Sequence, residues 1–145
     1  MATESFVIDS TLSVADAFAL VVDLSKVNEW DRGVRDARHV EGEPATVGAR
    51  YDVTVTGFDG KPTTASYVLT AVDAPNSFTM VGSHPQFQAD DTITFESTDT
   101  GCRVSYDAGL VLLGDDRPVT DAQLEEIFSS IAAVPRAGLQ EFLNP

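Results

Sequence analysis

From residue 34 to residue 113 the chain is a train of short segments that alternate apolar and polar positions, with a turn between successive segments. Segment 49–57 sets Tyr51, Val53 and Val55 against Arg50, Asp52 and Thr54. Segment 63–73 follows the Asp59-Gly60 turn, and segment 77–83, with Phe78 and Met80, follows Ala74-Pro75-Asn76. In 87–97, Phe87, Ile93 and Phe95 oppose Gln88, Thr92, Thr94 and Glu96. After Thr98-Asp99-Thr100-Gly101, segment 102–113 sets Val104, Tyr106, Ala108, Leu110 and Leu112 against Arg103, Ser105 and Asp107. Segment 34–41 is more polar and reads as a strand as well. A period of two is that of a pleated strand with one buried face. Turns this short join only antiparallel neighbours, so six segments predict a meander. Residues 4–11, with Phe6 and Ile8 on one face and Val7 and Asp9 on the other, add a seventh strand.

The apolar face of such a sheet must be covered, and three helical stretches are available. Ser13, with Asp16 three residues on, caps a helix whose stripe is Val14, Phe18, Val21 and Val22. A short helix over 24–31 carries Leu24, Val27 and Trp30. The last, over about 121–143, starts with a Thr120–Gln123 capping box. Its apolar side holds Leu124, Ile127, Phe128, Ile131, Val134, Gly138, Leu139 and Phe142, with Glu126, Ser130 and Gln140 opposite. Pro135 lacks a backbone donor and predicts a kink. The fold class is therefore α+β, a seven-stranded antiparallel sheet packed on a long C-terminal helix. With 145 residues and no linker or repeat, 1–145 is expected to be one domain.

Nine basic against 23 acidic residues give a net charge of −14. That exceeds the roughly 2–8 usual for a small domain and repels phosphate, so no nucleic-acid partner is expected. No run reaches the ~18 apolar residues of a membrane span. The opening MATESFVIDS carries Glu4 and Asp9 where a secretion signal needs basic residues, and Cys102 is the only cysteine. A cytoplasmic location is expected on these grounds. His39 and His84 lie far apart and Cys102 has no cysteine neighbour, so no metal is expected. There is no phosphate-cradling or dinucleotide-binding glycine motif, no cofactor is expected, and no Ser-His-Asp arrangement is visible. Cys102, on the apolar parity, is either a buried inert thiol or a reactive one.

The element order, one strand, two helices, six strands and a long helix, resembles the START-like (SRPBCC, helix-grip) superfamily. Within it, residues 14–34 with Asp23 and Trp30, 47–53, 91–112 and 137–143 resemble the bacterial polyketide cyclase/dehydrase and lipid-transport family. The likeness covers nearly the whole chain. It implies a curved sheet wrapped around the last helix, with a cavity between them. By parity, Tyr51, Val53, Tyr67, Leu69, Phe78, Met80, Phe95, Tyr106 and Ala108 would face that cavity from the strands, and Phe128, Ile131 and Leu139 from the helix. Trp30 would close one end. These side chains either line a ligand site or fill a dry core.

Asp91 shares parity with Ile93 and Phe95. It is either buried, with a raised pKa and a need for a partner, or set at a strand end or bulge that reaches solvent. Each tyrosine hydroxyl on an apolar face needs a partner too. Arg32, Arg35 and Arg38 either guard the mouth and hold a ligand carboxylate, or pair with acids such as Asp31, Asp36 and Glu41. His84, before Pro85, is either a rim hydrogen-bonding group or an exposed loop residue. The expected function is binding or transport of a small hydrophobic molecule such as a lipid, an isoprenoid or an aromatic polyketide-like compound. The alternatives are a cyclase or aromatase acting on a poly-β-ketone in the same cavity, and a protein-interaction module. No catalytic constellation accompanies the enzymatic alternative.

Overall fold

In the computed structural model, which describes residues 1–57, 59–114 and 119–145, seven strands form one antiparallel sheet. They are β1 (Ala2–Ser10), β2 (Val34–Glu41), β3 (Arg50–Thr56), β4 (Pro62–Asp73), β5 (Ser77–His84), β6 (Phe87–Thr98) and β7 (Gly101–Leu112). The spatial order is β1-β7-β6-β5-β4-β3-β2, so β2 to β7 are the predicted meander and β1 docks on its far side. Register sets Phe6 opposite Tyr106 and Ile8 opposite Val104, which carries the apolar face of β7 on into β1. At the β3–β4 turn Gly60 takes φ 80°, a conformation that favours glycine, and the Asp59 carboxylate accepts the Lys61 N–H at 3.0 Å.

Helix α1 (Val14–Val22) starts where the Ser13 hydroxyl accepts the Asp16 N–H at 3.1 Å. The stretch predicted as one short helix is divided. Asp23 ends α1, and its carboxylate accepts the Ser25 N–H at 3.2 Å and the Ser25 hydroxyl at 2.6 Å. That cap starts a 3₁₀ turn over Leu24–Lys26, which leads into the single turn of α2 (Val27–Trp30). Helix α3 (Asp121–Phe142) opens with the predicted capping box. The Thr120 hydroxyl accepts the Gln123 N–H at 3.1 Å, and the Gln123 side chain accepts the Thr120 N–H at 2.8 Å.

Helix α3 is held at both ends. At its start Leu124 and Phe128 pack with Ala2, Ala89, Leu110 and Leu112. At its end Leu139 and Leu143 join the main core, which lies under α1 and α2 and includes Phe18, Trp30, Leu69, Phe78, Phe95 and Val104. There the Ser10 hydroxyl donates to the Leu143 carbonyl at 2.5 Å, and the Asn144 amide donates to the Asp9 carbonyl at 2.9 Å. Gly138 brings the two backbones together: a Cβ on it would lie 1.6 Å from the Trp30 carbonyl oxygen.

Between these anchors the helix stands away from the sheet. Ile131 and Val134, predicted to be covered by it, are 48% and 38% exposed. Periodicity correctly puts them on the inner side, but what faces them there is a hollow. Helix α3 also continues unbroken through Pro135, which is buried. No helix among the described residues is long and apolar enough to cross a membrane.

Candidate functional site

The hollow is a cavity of about 530 Å³. Its sheet wall includes Val53, Val55, Tyr67, Met80, Asp91, Tyr106 and Ala108. The end near α2 supplies Leu24, Val27 and Asp31, and α3 supplies Phe128, Ile131, Val134 and Pro135. The lining is dominated by hydrocarbon, and its polar groups are few.

The most consequential of them is Asp91. It sits in the middle of β6, opposite Met80 and Ala108, at neither an end nor a bulge. It is buried, and the Tyr106 hydroxyl donates to its Oδ2 at 2.7 Å. Burial pushes its pKa up to about 7, against the lowering effect of the Tyr106 hydrogen bond. Asp31, where α2 ends, accepts the Gly33 N–H at 3.0 Å, and burial pushes it up to about 6. The Asp31 charge also raises Asp91.

Tyr67 is the third polar group. Its ring lies across Gly82, its partner in β5, where a Cβ would come within 2.4 Å of the ring. Its surface is half-buried because it faces the cavity, yet its hydroxyl lies deep enough for burial to raise its pKa well above the usual phenol value. That hydroxyl has no hydrogen-bond partner among the described residues.

Two results are expected from this wall. Both carboxyls ionise more readily in the unfolded chain, so they favour the fold at low pH. That advantage fades as pH rises from about 4 through the folded values of about 6 and 7. For Asp91 alone the loss between pH 5 and pH 7 is roughly 2 kcal/mol. Urea unfolding at both pH values should show this slope in the wild type and a flatter one in Asp91→Asn; equal slopes would contradict the burial of Asp91. The second concerns Gly82→Ala. The new methyl must displace the Tyr67 ring, so affinity for a cavity ligand should fall about tenfold while unfolding free energy changes by only about 1 kcal/mol. An unchanged affinity would show that Tyr67 does not shape the site.

At the rim, the Gln86 N–H donates to Nδ1 of His84 at 3.1 Å, so in the neutral ring Nε2 carries the proton and donates to the Thr63 hydroxyl at 2.7 Å. His84 is the last residue of β5 and not a loop residue; its ring stacks on Phe87. Arg35 donates to the Thr56 hydroxyl at 3.1 Å. Thr63 and Thr56 both line the cavity. Arg32 and Arg38 pair instead with Glu141 and Asp52, at 3.5 and 3.8 Å. Those acids lie far off in sequence and were not the neighbours weighed from it.

Of the residues expected to face the cavity, Val53, Tyr67, Met80, Asp91, Tyr106, Ala108, Phe128 and Ile131 lie on its wall. Trp30, Tyr51, Leu69, Phe78, Phe95 and Leu139 do not; they belong to the main core. Parity assigns a face of a strand but not a depth along it. Phe78 and Phe95 pack on Phe18 of α1, which covers that end of the sheet. The Tyr51 hydroxyl is held away by the Ala45 N–H at 3.1 Å. Trp30 stands one layer behind the wall, edge-on to Tyr106 with ring centroids 6.3 Å apart. Cys102 is fully buried, and burial raises its thiol pKa. Asp31 is the charged residue among the several cavity residues that sequence reasoning passed over as a site. Its signal was present: it follows Val27 by four positions and so extends the apolar stripe of the short helix. Among the described residues no three of His, Cys, Asp and Glu gather as a metal site would need.

The model of one protein family, polyketide cyclase / dehydrase and lipid transport, matches residues 1–134. The chain belongs to that family. No curated protein sequence matches this member of it. Among solved structures, a START superfamily protein from Mycobacterium smegmatis superposes with a TM-score of 0.78 at 10% identity, covering 99% of this chain and 97% of that one. Ara h 8.0201 gives 0.69 at 16% identity, covering 97% and 96%. The di-domain ARO/CYC StfQ from the steffimycin biosynthetic pathway gives 0.72 at 16% identity, with 98% of this chain matched to 50% of that one. At these identities the likeness is one of fold, and it establishes the helix-grip architecture for this polyketide cyclase / dehydrase and lipid transport family member.

Proposed function

We propose that this family member, acting as one START-like domain, binds a small hydrophobic molecule such as a lipid, an isoprenoid or an aromatic polyketide-like compound in the cavity under α3. The observation that carries this reading is a hollow of about 530 Å³, within the ~300–1,000 Å³ of small-molecule sites, walled mainly by hydrocarbon. Helix α3 is anchored at both ends, so its own side chains do not collapse into the space. An apolar void of this size forgoes contacts that a ligand would restore. Native mass spectrometry of the protein isolated from its own host should show a bound apolar compound, and a neutral solvatochromic dye should bind the emptied protein with saturable stoichiometry. An empty protein that also ignores the dye would overturn the reading.

A second reading, a cyclase or aromatase, draws support from the Tyr106–Asp91 pair, since a wall carboxyl with a pKa of about 7 can give or take a proton near neutrality. A poly-β-ketone substrate would then yield ring product with the wild type and much less with Asp91→Asn. Equal product from both proteins would remove the support this pair lends.

A further inference from the structure

We propose that the cavity selects ligands whose head group donates hydrogen bonds, a protonated amine above all, and rejects carboxylates. The inference rests on the ligand-binding reading and names the chemistry of what is bound. Besides Thr56, Thr63, Gln86 and Tyr106, the polar wall draws on three separate parts of the chain: Asp31 at the end of α2, Tyr67 on β4 and Asp91 on β6. All three line the same cavity, and the charges of both carboxyls raise the Tyr67 hydroxyl.

The wall is rich in acceptors and lacks a counter-charge. Asp91 receives the Tyr106 hydroxyl, and Asp31 uses Oδ1 for the Gly33 N–H. Oδ2 of Asp31 has no hydrogen bond to any described residue. No lysine, arginine or histidine lines the cavity among the described residues. The two basic groups at the rim, Arg35 and His84, are turned to the hydroxyls of Thr56 and Thr63. Carboxyls taken out of water without a cation ionise reluctantly, and both are raised, to about 6 and about 7. An ammonium placed between them supplies the absent charge and up to three donors. An uncharged hydroxyl can donate to one carboxylate and accept from Tyr67. Above the folded values of about 6 and 7, where both wall carboxyls are ionised, a carboxylate head brings a like charge into a space of low dielectric, where repulsion is strong.

Three fluorescent probes of one skeleton test this: 9-(aminomethyl)anthracene, 9-anthracenemethanol and anthracene-9-carboxylate. Titrations belong in about 0.5 M NaCl, which confines the influence of the acidic surface to roughly 5 Å. The amine should bind the wild type at least about tenfold more tightly than the carboxylate, with the alcohol between them. In Asp31→Asn/Asp91→Asn the gap between amine and carboxylate should narrow to about threefold or less, while the alcohol, which also reports that the variant is folded, keeps its affinity within about threefold. If the variant does not fold, the order of the three probes on the wild type decides. Binding of the carboxylate as tight as that of the amine, or an undiminished gap in a folded variant, overturns the selectivity and leaves the cavity a ligand site. Failure of all three probes to bind removes the ligand-binding reading and the selectivity together.

Discussion

Gly138→Ala is expected to destabilise the fold by about 3 kcal/mol, although helix propensity alone favours it by roughly 1 kcal/mol. The sign is decided by one distance. A Cβ at position 138 would lie 1.6 Å from the carbonyl oxygen of Trp30 and 2.7 Å from its carbonyl carbon. These are backbone atoms of α2 and cannot swing aside, so α3 must retreat. Retreat loosens Leu139 and Leu143, both fully buried, and strains the Ser10–Leu143 hydrogen bond. Urea unfolding gives the value directly. Because the obstacle is the backbone, Trp30→Ala should not rescue Gly138→Ala. A neutral or stabilising Gly138→Ala would mean that the helices do not approach this closely.

Trp30→Ala should cost about 3–5 kcal/mol, near the upper end for single substitutions. The indole is 1% exposed, packs edge-on to Tyr106 and sits in the cluster that holds Leu24, Val27 and Leu139. Truncation loses the transfer energy of the ring and leaves a hole in a region clamped by α2 and α3. Among the described residues the buried indole N–H has no acceptor, which offsets part of the gain from burial. Trp30→Phe should therefore cost much less, about 1–2 kcal/mol, because it removes the unpaired donor while keeping an aromatic ring. A Trp30→Ala loss below about 1 kcal/mol, or a solvent-like emission maximum in the wild type, would contradict the packing of this corner. Tyr106 lines the cavity and touches Trp30, so a bound ligand is expected to alter the tryptophan emission through one intervening ring.

Strand number, the order of β2 to β7 and the caps at Ser13 and Thr120 were legible because each has a local cause: period-two alternation, turns too short to cross the sheet, and side-chain acceptors at helix starts. The Asp23 cap and the division of the 24–31 stretch into a 3₁₀ turn and a helical turn were not read, because the two local hydrogen-bond patterns look alike in a hydrophobic pattern. The site was half legible. Parity found the face that carries Val53, Tyr67, Met80, Asp91, Tyr106 and Ala108. It could not separate them from Tyr51, Leu69, Phe78 and Phe95, which share the face but lie under α1 or the 42–49 loop. Where a helix presses down and where it bridges a gap depends on its two anchors. One of those is Gly138, whose role is to have no side chain, and nothing in a hydrophobic stripe announces that.

The docking of β1 on β7 sets a schedule for a chain made from its N-terminus. Asp9 meets Arg103 at 3.1 Å although 94 residues separate them. At a synthesis rate of ~5–20 residues per second, β1 waits about 5–20 s for its strand partner β7 to emerge. Throughout that time Phe6, Val7 and Ile8 form an unpaired apolar strand, the kind of segment that joins other chains. The flanking Glu4 and Asp9, and the strongly negative chain that follows, act as its guard by repelling identical neighbours on the same messenger. In the finished fold that guard is reused: the ladder with β7 holds the strand, and Asp9 closes onto Arg103 at its exposed edge.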